Sequence, residues 1–153
     1  LVFITAAGQL LHFPASAVRV QGRSASGVTG IKSTDSAVIF FGVVEPAGEN
    51  IVVTVSGSSQ ALPGTEAGNG KISDFSEYPG KGRATAGVRS HKFRSGEDTL
   101  SRAWCGPTPA RAATSSGTPA YLPESDGKRD GTGTPLTHPI DALGGPIVIR
   151  LGS

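Results

Sequence analysis

The segment Gly22-Arg23-Ser24-Ala25-Ser26-Gly27-Val28 returns sixty residues later as Gly82-Arg83-Ala84-Thr85-Ala86-Gly87-Val88. Both copies follow the pattern G-R-x-x-x-G-V. A third copy, Arg129–Thr134, keeps the R-x-x-x-G part but has Thr in place of Val. A repeat of this length indicates an array of similar supersecondary units. We therefore expect function to lie on a surface that the units share.

Short β-type runs surround the first two copies of the repeat. They are Leu1–Thr5, Gln9–Phe13 and Ala37–Val44 around the first copy, and Ile51–Val55, Gly70–Phe75 and Thr99–Cys105 around the second. Each run is rich in Val, Ile, Phe or Thr, and no stretch of a dozen residues shows helical periodicity. The 22 Gly and 11 Pro residues suit many tight turns. With about four strands per unit, as in a propeller blade, the sequence predicts an all-β fold with no helix longer than about two turns.

The repeat divides the chain into three expected blade units, at about 1–50, 51–106 and 107–150. Two segments rich in small and polar residues, Ser56–Gly70 and Pro107–Gly133, are interpreted as long, mobile surface loops, with a plain linker as the alternative for the second. The chain has no initiator Met and opens inside a strand, so we expect a fragment. Closed propellers need about four to eight blades. We therefore expect the three blades of this chain to form the C-terminal half of such a domain.

Positive charge is concentrated in the middle of the chain. The net charge is only +2, but residues 71–111 carry eight bases and four acids. A basic block of this kind indicates a polyanionic partner, although ordinary solubility charges explain it equally well. Arg23, Arg83 and Arg129 occupy equivalent repeat positions, so we expect them on one exposed rim. The alternative interpretation is structural, with each arginine bridging strand carbonyl groups.

The sequence lacks the patterns of a catalytic or membrane-spanning chain. His12, His91 and His138 have no partners at metal-ligand spacing, and neither a G-x-S-x-G elbow nor a phosphate-binding loop occurs. The longest apolar run, eight residues, is far shorter than the ~20 that a spanning helix needs. The single Cys105 is expected to be a buried, reduced thiol, which fits the cytoplasm. We expect a binding module that is not catalytic by itself.

The repeat resembles the C-terminal domain of the A subunit of bacterial DNA gyrase, with the A subunit of topoisomerase IV as a close relative. The residues that carry the resemblance are Ile4-Thr5 with Gly8, Gly22–Lys32, Asp74–Tyr78 and Lys81–Val88. The gyrase box Gln-Arg-Arg-Gly-Gly-Lys-Gly is matched here only at Gln21, Arg23 and Gly27, and at Arg83 and Gly87. Either an intact box lies upstream or the protein lacks it, so the resemblance does not separate gyrase from topoisomerase IV.

The resemblance implies a β-pinwheel of four-stranded blades that exchange strands, with duplex DNA wrapped around a basic rim. It implies a DNA-wrapping module of an ATP-dependent type II topoisomerase, whose partners are the remaining blades, the gyrase B subunit, and the rest of the gyrase A subunit. ATP and Mg²⁺ then belong to other domains, and this part of the chain needs no cofactor. A protein-interaction propeller without a DNA role is the alternative. The candidate DNA-binding residues are Arg19, Arg23, Lys32, Lys71, Lys81, Arg83, Arg89, Lys92, Arg94, Lys128 and Arg129.

Overall fold

The computed structural model describes residues 1–125 and 127–147, and this part of the chain is all-β, as the sequence predicts. Its only helical elements are two three-residue 3₁₀ turns, Ala15–Ala17 and Phe75–Glu77. The strands are β1 (Val2–Thr5), β2 (Gln9–His12), β3 (Val38–Gly42), β4 (Asn50–Gly57), β5 (Asn69–Asp74), β6 (Val88–Arg89), β7 (Thr99–Pro107), β8 (Arg111–Ala113), β9 (Pro119–Ala120), β10 (Thr134–Pro135) and β11 (Ala142–Gly144).

The strands form three antiparallel sheets that exchange strands. The sheet orders are β3-β1-β2-β6, β10-β5-β4-β7 and β11-β8-β9. Strand β6 comes from the second repeat but pairs with β2 of the first sheet, where Leu10 lies opposite Val88. In the same way β10 comes from the third repeat and pairs with β5, where Gly70 lies opposite Thr134. Each repeat therefore completes the sheet of the repeat before it.

The three expected blade units stay a prediction, and residues 148–150 of the third lie outside the described residues. The interpretation of Pro107–Gly133 as one long loop is wrong, because strands β8 and β9 lie within it and pair with each other. These strands are short and built from Ala, Arg and Pro, without the Val and Ile residues that mark the other strands. Between β4 and β5, in contrast, residues 58–68 form no strand or helix.

The middle sheet is buried on both faces by its neighbours. In β4, six of eight residues are buried. Val52 packs with Val2, Ile4 and Leu10 of the first sheet, whereas Val55 packs with Ala112 and Ile140 on the other side. A strand covered on both faces requires a continuous apolar run, which explains the sequence Ile51–Val55. Burying each such side chain stabilises the fold by about 1.5–3 kcal/mol.

Cys105 and Tyr78 belong to the same core as Val52. Cys105 is a free thiol that is 4% exposed, as the sequence predicts, and burial raises its pKa to about 12. Tyr78 is 3% exposed, and its hydroxyl is 2.8 Å from Ser73 Oγ. Tyr121, in contrast, is 72% exposed.

His91 follows β6 and lies buried between the first two sheets. Its Nδ1 is 2.9 Å from Thr54 Oγ1, and the preceding Ser90 donates both its N–H and its hydroxyl to the Gly8 carbonyl oxygen. The imidazole is 1% exposed, and its Nε2 has no hydrogen-bond partner among the described residues. Burial, reinforced by the charge of Lys71, lowers the pKa of His91 to about 4.

Gly87 is required by strand exchange. Its φ is +74°, a left-handed conformation, and a β-carbon at this position would overlap the Leu10 carbonyl oxygen. Gly27, the equivalent residue of the first copy, has φ +85° but no atom within 4 Å. The two glycines therefore share the same backbone constraint, and only Gly87 also has a steric one.

We predict that Gly87→Ala destabilises the protein far more than Gly27→Ala. Both alanines must adopt the left-handed conformation, which costs about 1–2 kcal/mol each. Gly87→Ala adds the overlap with Leu10, worth about a further 1–3 kcal/mol, and disturbs the β2–β6 pair. Urea unfolding of the two variants measures the difference. Equal losses would contradict a role for this close approach.

We also predict that His91 makes the fold sensitive to acid. The pKa of its imidazole falls from 6.5 to about 4 on folding, so the unfolded chain binds a proton that the folded chain resists between these pH values. The contribution of neutral His91 to the free energy of unfolding is fully present above about pH 6.5. It falls by about 3 kcal/mol as the pH drops to 4.

Unfolding free energies of the wild type and His91→Asn, measured from pH 7 to pH 4, test this prediction. The asparagine does not titrate, so the variant should lose less stability over this range. His138→Asn, which changes an exposed histidine, should keep the wild-type slope. An unchanged slope in His91→Asn would remove His91 as the cause.

Candidate nucleic-acid interface

Strand exchange brings the three copies of the repeat motif into contact, one after another. We call residues 18–32, 79–92 and 128–134, which contain these copies, the G-R edge. Between the first and second, the Lys32 N–H donates to the Thr85 carbonyl oxygen at 2.9 Å. Between the second and third, the Lys92 N–H donates to the Gly131 carbonyl oxygen, also at 2.9 Å. The donor and acceptor residues of the two contacts occupy equivalent positions of the repeat. The same hydrogen bond therefore recurs between consecutive motif copies along the edge.

The G-R edge carries most of the positive charge of the chain. It holds nine bases and one acid, a net charge of +8, whereas the rest of the sequence has five bases and eleven acids. The net charge of the G-R edge is greater than that of the basic block at residues 71–111. The reason is that the fold brings the first and third motif copies next to the second. A surface of this charge attracts polyanions and releases their counterions on binding.

The repeat arginines contact the preceding copy of the motif. Arg83 Nη1 donates to the Thr29 carbonyl oxygen at 2.7 Å, and Arg129 Nη1 donates to the Arg89 carbonyl oxygen at 2.7 Å. Thr29 and Arg89 each follow the Gly-Val pair of their own copy, so the two contacts are equivalent. Arg83 and Arg129 are half-buried, and the expectation that all three repeat arginines are exposed is wrong for them. Their guanidinium groups hold adjacent repeats together.

Arg23 differs from its two counterparts. It is exposed and makes no hydrogen bond within the part of the chain that the structure describes. Around it, Gly22 and Gly27 have no atoms near their α-carbons that would block a close approach. The backbone at these two glycines is therefore open to an incoming phosphate.

Lys71 does not lie on the G-R edge, although the sequence makes it a candidate. Its side chain is 3% exposed. The ammonium group donates to the carbonyl oxygens of Lys128, at 2.9 Å, and of Arg129. A buried ammonium satisfied by backbone carbonyl groups is a structural feature, and here it fixes the third motif copy against β5.

Arg89 and Arg94 are exposed but already bind the third motif copy. Arg89 forms two hydrogen bonds to the Asp130 carboxylate, from Nε at 2.7 Å and from Nη2 at 2.8 Å. These bonds raise the pKa of Arg89 and lower that of Asp130. Arg94 Nη2 donates to the Gly133 carbonyl oxygen at 2.7 Å. The sequence analysis did not single out Asp130. It could have been noticed because it is the one acidic residue within the three motif segments.

The remaining candidate bases have exposed side chains. They are Arg19, Arg23, Lys32, Lys81, Lys92 and Lys128. All six belong to the G-R edge, and at least one comes from each motif copy. The candidates thus include these six exposed bases, the buried or half-buried Lys71, Arg83 and Arg129, and Arg89 and Arg94, which are exposed and also bond to the third motif copy.

The other features of the described residues lie apart from the G-R edge or are absent from that part of the chain. A cavity of about 950 Å³ lies between the second and third sheets, next to Ser56, Arg102 and Ser116, but no candidate base lines it. Within residues 1–125 and 127–147, no three His, Cys, Asp or Glu side chains are placed to hold a metal ion. The same residues include no helix long and apolar enough to cross a membrane.

We predict that Arg83→Ala lowers stability, because it removes the bond to Thr29 that holds two repeats together. A hydrogen bond from a charged donor contributes about 1.5–3 kcal/mol, and partial contact with solvent places this one at the lower end. Lys81→Ala is the matched control. The Lys81 side chain is exposed and its bond to the His12 carbonyl oxygen uses the backbone N–H, so we expect a change within about 0.5 kcal/mol. Thermal unfolding distinguishes the variants, and equal melting temperatures would contradict the structural role.

Comparison with known proteins identifies relatives of about half to two thirds of the chain. The family model described as "DNA gyrase C-terminal domain, beta-propeller" matches residues 1–40 and 64–103, just over half of the chain. The A subunit of DNA gyrase from Salmonella typhimurium is 40% identical over 93 residues, which cover 60% of this chain and 9% of the relative. The equivalent gyrase chain of Klebsiella oxytoca is 38% identical over 95 residues, with the same coverage of both chains. The chain thus spans about a tenth of these relatives.

A solved structure agrees on the fold. The C-terminal domain of DNA topoisomerase IV superimposes with a TM-score of 0.60, covering 93% of this chain and 45% of that domain. The sequence identity is 14%, so the likeness is one of architecture. Strand exchange between consecutive sheets and the matching motif segments lead to the same conclusion. The chain belongs to the DNA gyrase C-terminal domain family of β-propeller architecture.

Proposed function

We propose that this chain is the DNA-binding and DNA-wrapping module of a type IIA topoisomerase, and that duplex DNA follows its G-R edge. The observation that carries the proposal is the net charge of +8 on three motif segments that contact one another in succession. The similarity to the A subunits of bacterial DNA gyrases supports it. Protein cations bind DNA mainly through its phosphates, and such binding is strongly salt-dependent.

The arrangement favours binding that tolerates any sequence. The exposed bases are lysines and arginines on loops, and the G-R edge contains no helix that could enter a major groove. Phosphate contacts hold and orient a duplex but carry no direct sequence information. Bending a short site costs about 1–6 kcal/mol, so several motif copies must act together to hold a wrapped duplex.

The candidate bases take two roles in this proposal. Arg19, Arg23, Lys32, Lys81, Lys92 and Lys128 contact phosphates directly, whereas Lys71, Arg83 and Arg129 position the loops that carry them. Arg89 and Arg94 are exposed, and each bonds to the third motif copy in the free protein.

The relatives support a place for this chain in a larger assembly. We propose that the chain acts as part of the A subunit of gyrase in the bacterial cytoplasm, together with further blades and the gyrase B subunit. ATP and Mg²⁺ would act on other domains of that enzyme. A protein-interaction propeller without a DNA role is the alternative, and exposed apolar side chains such as Val20, 99% exposed, and Val43, 74% exposed, favour it.

We predict that the wild-type chain binds duplex DNA with an affinity that falls steeply as salt rises. Arg23→Ala should weaken binding about equally for unrelated sequences and reduce the slope of log K against log[salt] by about one. Arg111→Ala is the control, because it removes an equal charge from an exposed position on β8, outside the G-R edge. Fluorescence anisotropy over a salt series measures all three proteins.

The outcomes separate the two functions. Equal effects of Arg23→Ala and Arg111→Ala would remove the G-R edge as the binding surface. Weak, salt-insensitive DNA binding would favour the protein-interaction alternative. Wrapping is tested separately by ligating a nicked circular duplex in the presence of the protein, since a wrapped path is retained as a change in linking number.

A further inference from the structure

Asp130 lies among cations at the contact between the second and third motif copies. Both of its carboxylate oxygens accept hydrogen bonds from Arg89. The bonds from Arg89, together with the charges of Arg89, Arg129 and Lys92, lower the pKa of Asp130. No other acid occurs in the three segments of the G-R edge. The equivalent positions of the first and second copies hold Ser24 and Ala84, which carry no charge.

The Arg89–Asp130 contact has a geometry in which arginine also binds phosphate. A guanidinium group binds two oxygens of a carboxylate or of a phosphate with the same forked geometry. The Arg89 and Asp130 side chains are 52% and 38% exposed, so a duplex outside the protein can reach this pair. Lys92, which is exposed, and Arg129, which is half-buried, add positive charge beside it.

We propose that Arg89 and Lys92, with Arg129 adding charge beside them, form a binding site for a backbone phosphate of duplex DNA, and that Asp130 fills this site in the free protein. DNA must displace the carboxylate from Arg89 before this part of the G-R edge binds. The inference rests on the proposed function, and it makes Asp130 the residue of the third motif copy that weakens DNA binding. Asp130 thereby sets how far a duplex follows the edge beyond the second copy.

Asp130→Asn tests the proposal, with Asp141→Asn as the matched control. Asp141 forms the other ion pair of the described residues, with Arg102 at 3.2 Å, and lies outside the G-R edge. Both substitutions remove one negative charge. Asp130→Asn should raise the affinity for duplex DNA about three- to tenfold and increase the salt slope by about one, as expected for one added phosphate contact. Asp141→Asn should change the affinity less than about twofold.

The gain must also depend on Arg89. In an Arg89→Ala background, adding Asp130→Asn should raise affinity no more than Asp141→Asn does. Asp130→Ser, which restores the residue of the first motif copy, provides a second variant if the asparagine disturbs folding. Thermal unfolding of each variant confirms that binding is compared between folded proteins.

The results distinguish this inference from the proposed function. If the wild type and all variants fail to bind duplex DNA, both are wrong. If the wild type binds with steep salt dependence but Asp130→Asn behaves like Asp141→Asn, the proposed function stands and the phosphate site is overturned. If Asp130→Asn gains affinity with or without Arg89, the site is also overturned, because the gain does not come from release of that guanidinium group.

Discussion

The structure depends on the pairing of each repeat with the sheet of the repeat before it. Strands β6 and β10 are only two residues long, yet each brings its whole motif copy against the preceding sheet. The pairing requires a close approach of backbones, which Gly87 permits over β2 and Gly133 permits over β5. Once these pairs form, the Lys32–Thr85 and Lys92–Gly131 hydrogen bonds place the motif loops side by side.

Gathering nine bases on one edge costs electrostatic repulsion, and the fold offsets part of it locally. Arg83 and Arg129 donate to backbone carbonyl oxygens of the neighbouring copy, and Lys71 donates to two carbonyl oxygens from beneath. Asp130 neutralises Arg89. The same residue types therefore serve two purposes: some hold the repeats together, and others stay exposed where a polyanion can reach them.

The sequence predicted the elements whose residues are decided locally. Strands β1, β2, β4 and β5 contain the Val, Ile and Leu residues that a buried sheet requires, and their predicted bounds agree with the structure to within about two residues. Strands β8 and β9 were not predicted, because their Ala, Arg and Pro residues carry no preference for a strand. They form because β8 pairs with both β9 and β11, which no local pattern reveals.

The sequence by itself determined the all-β class, the repeat, and the positions at which basic residues recur, since these depend on composition and spacing alone. Only the tertiary structure decided which bases face solvent. The sequence alone does not distinguish Lys71 from Lys81. In the structure, Lys71 is buried beneath the third motif copy and Lys81 is exposed. The pairing of Arg89 with Asp130, 41 residues apart, likewise arises only when strand exchange brings two repeats together. Long-range pairing selects the neighbours of each charge, and those neighbours decide its role.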